Sequence, residues 1–302
     1  MGERRNEHIP VLLKEVLEIF DSQPGQIYID ATVNGGGHAR ALARCVGEKG
    51  RVIGIDWDCG LIRELGVRNQ ELGIKNIDVV CENYTSIGKI GERFGVKGGI
   101  DGVLFDLGFS SYHIEKSGRG FSFLRDEALD MRYDTACDLT AARIINEWSR
   151  EALIHILQAY GEERFATRIG EAIVRRRAIR KIVSTAELAE VVVKSLSPHA
   201  RRGKIHPATR TFQALRIAVN RELENIQKGL EAAVQILREG GKIIVISFHS
   251  LEDRLVKAIL RAEEKKGYIK VITPKPLRPR GEELLVNPRA RSAKLRALVR
   301  IK

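Results

Sequence analysis

From residue 26 onward, short apolar runs rich in β-branched residues alternate with amphipathic stretches. QIYIDA (26–31), RVIGID (51–56), IDVVC (77–81) and IDGVLFD (100–106) have strand length, and the segments between them, the first starting at His38, read as helical. This rhythm predicts a parallel α/β sheet, since neighbouring parallel strands need a long crossover that a helix supplies. A long helical segment beginning near Pro207 leads to a fifth run, KIIVIS (242–247). A helix over 251–265 follows, then YIKVIT (268–273), a Pro/Arg-rich loop and the terminal run ALVRIK (297–302). No crossover helix separates the last two runs, so they are predicted to pair antiparallel. Between 111 and 206 the periodicity is helical, as in EALIHILQAY and TAELAEVVVKSL, without a strand succession. The expected organisation is an α/β domain made of residues 1–110 and 207–302, interrupted by a helical domain at 111–206.

Composition narrows the class. The chain has 302 residues, 43% hydrophobic and 30% charged, which is enough apolar material for buried cores and excludes disorder as the main state. Apolar runs are too short to span a bilayer, and the charged opening Met1–Glu7 does not lead into a secretory signal, so a cytoplasmic protein is expected. Cys45, Cys59, Cys81 and Cys137 form no CxxC pair and have no nearby pattern of histidine ligands. They are expected to be small buried hydrophobes in a reducing compartment, with neither a disulfide framework nor a metal site.

The net charge is +12, and it is concentrated. Residues 164–210 hold twelve Lys/Arg against three Glu, and residues 270–302 hold ten against two, so the remainder of the chain is acidic. Two basic stretches in an otherwise acidic chain point to phosphate contact, and their poverty in aromatic residues argues against a base-stacking platform.

In an open parallel sheet, ligands bind beyond the carboxyl ends of the strands. Here the apolar runs end in Asp30, Asp56, Asp106 and Ser247. Each alone would pass for a helix cap, whereas four together suggest a shared crevice. The loop Asn34-Gly35-Gly36-Gly37-His38 after the first run suits a nucleotide-type ligand, with Asn34 the non-glycine residue best suited to positive φ. His38-Ala39-Arg40 follows it, so the Gly-Lys-Ser/Thr of a phosphate loop is absent, and Arg40 stands where a dinucleotide fingerprint needs its third glycine. Asp56 is placed to accept from both ribose hydroxyls. A ribose acceptor without a pyrophosphate loop favours S-adenosylmethionine over NAD.

Five parallel strands with an antiparallel edge hairpin resemble the class I, Rossmann-like S-adenosylmethionine-dependent methyltransferases. The motifs narrow the resemblance: HIPVLLKEV from His8, DATVNGGGH from Asp30, DLGFSS from Asp106, RGFSF from Arg119, LDMR from Leu129, HPATRTFQALRIAVNREL from His206, SFHSLEDR from Ser247 and NPRARSAKLR from Asn287. In order and spacing, over nearly the whole length, the chain resembles the bacterial ribosomal RNA small-subunit methyltransferase H family, also called MraW. Members methylate the N4 amine of a cytidine in the decoding region of 16S rRNA. The resemblance implies that Gly36, Gly37 and His38 approach the cofactor, Asp56 holds its ribose, Tyr84 lies beside the adenine, and Asp106 and His113 close the site. This chain departs from the family with Asn34 in place of the usual Gly, Gly35 where Arg is frequent, and Tyr112-His113 in place of Pro-Gln.

Cytosine N4 is a poor nucleophile because its lone pair is delocalised into the ring. Asp106 is therefore expected to accept a hydrogen bond from N4, aided by Ser110 or Ser111, while Ser247 and His249 shape the base pocket. Arg132 and Asn220 complete the expected substrate set. Phe121 and Phe123 suit either base stacking or a core, His249 either the substrate or a bond to Glu252 or Asp253, and Arg254 is expected to pair with Asp253. The partner implied is 16S rRNA or the small ribosomal subunit, with no membrane; a homodimer is left open. Two other readings are a non-catalytic ribosome-assembly factor on this scaffold and an NAD-dependent oxidoreductase. The intact site residues count against the first, and the basic stretches and missing glycine against the second.

Overall fold

The computed structural model describes residues 10–96, 98–108, 110–203 and 205–302, without the side chains of Ser111, Pro288 and Arg289. Residues 1–9, Lys97, Phe109 and Lys204 lie outside it, and with them the charged opening segment and His8 of the first motif. The chain divides into two units, residues 1–110 with 223–302, and residues 111–222.

The first unit is built on seven strands: β1 (Ile27–Asp30), β2 (Arg51–Asp56), β3 (Ile77–Cys81), β4 (Ile100–Asp106), β5 (Leu237–Ser247), β6 (Ile269–Val271) and β7 (Lys294–Arg300). Their spatial order is β3-β2-β1-β4-β5-β7-β6. Pairings among β1 to β5 are parallel, and β7 runs antiparallel between β5 and β6. Strand order reverses between β1 and β4, which makes their carboxyl ends the switch point of the sheet. Period-two alternation supplies both faces. Ile29, Val103, Phe105, Ile243 and Val245 enter one buried cluster with Ile226 and Leu230, while Tyr28, Leu104, Ile244 and Ile246 enter another with Val16, Phe20 and Leu42.

In the second unit, Leu153, Ile156 and Leu157 of the helix Arg150–Ala159 meet Ile169 and Ile173 of Ala166–Ile179 and Leu188 and Val192 of Thr185–Ser195 in one core. Ser149 and Ser184 cap the first and third of these helices through backbone N–H groups. The unit extends past the expected boundary at 206. Helix Thr209–Asn220 buries Phe212, Leu215 and Val219 in this core, and the periodicity continuing beyond it hid a break. That break is Arg221, left-handed at φ 50°, and the next helix, Glu222–Ile236, returns the chain to the sheet unit.

The cysteines differ from expectation. Cys59 and Cys81 form a disulfide with Cα atoms 5.1 Å apart, and Cys45 and Cys137 are exposed thiols. Cys59 opens the helix after β2, and Cys81 ends β3 directly opposite Asp56, so strand pairing unites two residues that 22 positions of chain separate. Spacing alone does not reveal that. No helix among the described residues is long and apolar enough to cross a membrane.

Closing a loop of this length restricts the unfolded chain by about 3 kcal/mol. Reduction, or the C59S/C81S double variant, is expected to lower unfolding stability by up to that amount in a denaturant titration. The double variant should not respond to dithiol; equal stability of oxidised and reduced wild type would show that the bridge adds nothing.

Candidate active site

Asp30, Asp56, Asp106 and Ser247 end β1, β2, β4 and β5, as the sequence implied, and all four are buried. The loop after β1 fixes the central one. Asn34 takes the left-handed conformation at φ 48°, and its Nδ2 donates to the carbonyls of Thr32 (2.9 Å) and Asp106 (3.3 Å). The Asp106 N–H donates to Thr32 Oγ1 at 2.6 Å, so the backbone of Asp106 is held from both sides. Its Oδ1 is buried without a hydrogen-bond partner among the described residues, a vacant acceptor at the switch point.

Gly36 and Gly37 have a packing reason of their own beside the expected one. Gly36 has φ 74°, and a Cβ there would stand 2.5 Å from Leu65 Cδ1; a Cβ on Gly37 would stand 2.9 Å from Pro10 Cγ. Packing within the chain is thus sufficient reason for both. His38 is 4% exposed, with Nε2 3.0 Å from the Val11 carbonyl and Nδ1 3.6 Å from Asp106 Oδ2.

On β2, Asp56 Oδ1 accepts from the N–H of Asp58, whose own carboxylate caps the helix Cys59–Glu71. Tyr84 follows β3 with its ring packed edge-on to Phe105 and 6.3 Å from Trp57. Trp57 is a candidate that sequence reasoning passed over; its position directly after Asp56 at the end of β2 was the available signal.

Carboxylates dominate the electrostatics here. Burial first, then the charge of Asp56, pushes the Asp30 carboxyl up to about 7. Asp106 lies well above the usual carboxylate range, chiefly through burial, with Asp30 and Glu252 adding repulsion. Such a cluster suits a cationic ligand.

Other expected residues carry structural contacts. Ser247 Oγ donates to the Lys294 carbonyl, and His249 caps the helix Ser250–Lys265, Nδ1 accepting from the Glu252 N–H while Glu252 reaches back to the backbone of residue 249. Asp253 binds Lys294 at 2.8 Å and Arg296 at 2.7 Å, not Arg254, because successive helix residues point apart. Ser110 is buried, and the side chain of Ser111 is not described. In the second unit, the His113 ring packs 5.0 Å from Phe121 and 4.8 Å from Tyr133. Phe123 stacks on His206 and meets Phe212 edge-on, so neither phenylalanine is a bare platform. Arg132 grips Asp130 and the carbonyls of Thr135 and Cys137, and Asn220 bonds the backbone at Met131, Tyr133 and Arg216.

The family model of the MraW methylases matches residues 5–301. The chain belongs to the MraW methylase family. As such a methyltransferase it is similar to the ribosomal RNA small subunit methyltransferase H of Symbiobacterium thermophilum, 43% identical over 97% of this chain and 96% of that one. The corresponding proteins of Carboxydothermus hydrogenoformans (44%, covering 96% of each chain) and Heliobacterium modesticaldum (42%, covering 98% and 99%) are similar to the same degree.

The raised Asp30 carboxyl makes this methylase sensitive to pH. A carboxyl lifted from 3.8 to about 7 stabilises the fold while neutral and loses that contribution as pH rises through about 7. Without cofactor, unfolding stability should fall between pH 4 and pH 8 by at most on the order of 4 kcal/mol, nearly all of it below about pH 7. Asp30→Asn should flatten that slope; parallel slopes for the two proteins would refute the assignment.

Proposed function

We propose that this methylase transfers a methyl group from S-adenosylmethionine to the N4 amine of a cytidine in the decoding region of 16S rRNA, acting in the cytoplasm on the RNA or the small ribosomal subunit. The observation that carries the reading is the vacant, buried Oδ1 of Asp106 at the switch point, on a backbone held by Asn34 and Thr32. The residues fit the cofactor: the carboxylates at the tips of β1, β2 and β4 complement a cation, Asp56 is the ribose acceptor, and Tyr84 with Trp57 provides an aromatic border for adenine. When bound, S-adenosylmethionine supplies a methyl group on positively charged sulfur.

The chain's own residues do the rest. As a carboxylate, Asp106 accepts an N–H of N4, which returns the lone pair to nitrogen and orients it. Because Asp106 is held in place before the substrate arrives, little reorganisation is needed at the moment of reaction. Within the sheet unit, Ser110, Ser247 and His249 are the residues proposed to shape the base pocket; in the second unit, Arg132 and Asn220 hold the loop that follows RGFSF, and His113 packs beside Phe121. Exposed Arg168, Arg175, Lys181, Arg201 and Arg202 give the second unit a positive surface for phosphate. The target base has to leave its stack to reach a buried carboxylate.

Asp106→Ala should abolish methylation of 16S rRNA, scored by transfer of labelled methyl and by mass of the nucleoside, with circular dichroism unchanged. Activity near wild type would remove Asp106 from the reaction. Wild-type activity should also fall with acidification at a pH well above the ordinary carboxylate range, because protonated Asp106 is a poor acceptor. Reversing Arg201 and Arg202 to Glu should weaken RNA binding at least tenfold and reduce its salt dependence while cofactor affinity stays within twofold. An unchanged salt slope would place the RNA elsewhere.

A further inference from the structure

Asp106 must be charged to accept a proton from N4, yet its surroundings oppose that charge. Asp30 faces it from β1 and Glu252 from the helix Ser250–Lys265, with Asp56 of β2 acting on Asp30 in turn. Glu252 offers no relief, since its Oε2 accepts the N–H groups of Phe248 and His249 and its Oε1 lies 3.1 Å from the His249 ring. Beside these acids lies a basic group already described, His38, buried with Nδ1 3.6 Å from Asp106 Oδ2. The Val11 carbonyl 3.0 Å from Nε2 only accepts, so Nε2 carries a hydrogen and the neutral ring offers its Nδ1 lone pair to the carboxyl.

We propose that His38 is a positioning residue that acts through Asp106, its Nδ1 serving as the second seat for the single proton the pair holds. This rests on the reading of Asp106 as the group that accepts from N4. It also gives His38 a task other than contact with the cofactor. In the working state the proton sits on Nδ1, and Asp106 is a carboxylate opposite an imidazolium. When the methylated N4 loses its surplus proton, the electron pair of the broken N–H bond stays on nitrogen and the proton bonds to Asp106. The pair then passes one proton to water and returns to its starting charge. A movement of a few tenths of an ångström brings Nδ1 and Oδ2 within hydrogen-bond reach.

The discriminating variant is His38→Gln, which keeps an N–H for the Val11 carbonyl and deletes the Nδ1 seat. The first measurement needs neither cofactor nor RNA: the Asp106 carboxyl is titrated by carbon NMR in aspartate-labelled protein, with Asp106→Asn giving the assignment. Loss of the seat should raise the proton affinity of Asp106 about tenfold or more, one pH unit. An identical Asp106 titration in wild type and His38→Gln overturns the proposal. The second measurement is kinetic. kcat should fall about tenfold or more, with its acid limb moved to higher pH and the dissociation constant for S-adenosylmethionine unchanged within twofold. Lost cofactor affinity with saturating kcat retained would make His38 a cofactor ligand and overturn the proposal as well.

If His38→Gln does not fold, nitrogen NMR of the His38 ring is compared between wild type and Asp106→Asn at neutral pH. A proton on Nδ1 that depends on Asp106 supports the pair, and an Nδ1 indifferent to Asp106 overturns it. A wild-type enzyme that leaves 16S rRNA unmethylated would sink the functional reading alone, because the titrations report on the pair without substrate.

Discussion

Desolvation of acid groups at the carboxyl edge of the sheet is the constraint around which this molecule is organised. A parallel sheet covered on both faces leaves its strand tips as the place where polar chemistry is available, and here those tips are aspartates. Burying them together is unfavourable, and a bound positive charge would offset that cost. The sulfonium of S-adenosylmethionine is such a charge. The local architecture limits the cost with short-range hydrogen bonds: Asn34 and Thr32 to the backbone of Asp106, and the Asp58 N–H to Asp56.

Much of this was legible in the residue pattern because strand runs and their terminal acids are local signals. The parallel strands, the antiparallel end of the sheet and the left-handed Asn34 follow from period, crossover length and residue type, whereas the spatial order of the strands does not. What stayed hidden depends on distant contacts. The break at Arg221 leaves the helical periodicity almost undisturbed, so the boundary is visible only once Phe212 and Leu215 are seen in the core of the second unit. Likewise, Asp253 chooses Lys294 and Arg296 from a strand over its neighbour in sequence.

The candidate site shows the same division. Sequence identified the acids, but it could not distinguish glycines kept for ligand approach from glycines kept because Leu65 and Pro10 occupy the adjoining space. Nor could it tell that Asn220 bonds the backbone of its own unit, that Arg132 holds the Asp130 carboxylate and nearby carbonyls, or that Phe121 packs with His113 and Tyr133. Residues that stand out within a motif can serve a reaction or the loop that carries it, and only their partners separate the two.

An open sheet ends in two unpaired margins, each a template for another chain. At one margin β6 has only three residues, too few to recruit a foreign strand. At the other, β3 is longer, and the Cys59–Cys81 bridge anchors its tip to the neighbouring helix. The bond therefore ties the outermost strand to the helix beside it, so that this margin resists fraying at its tip.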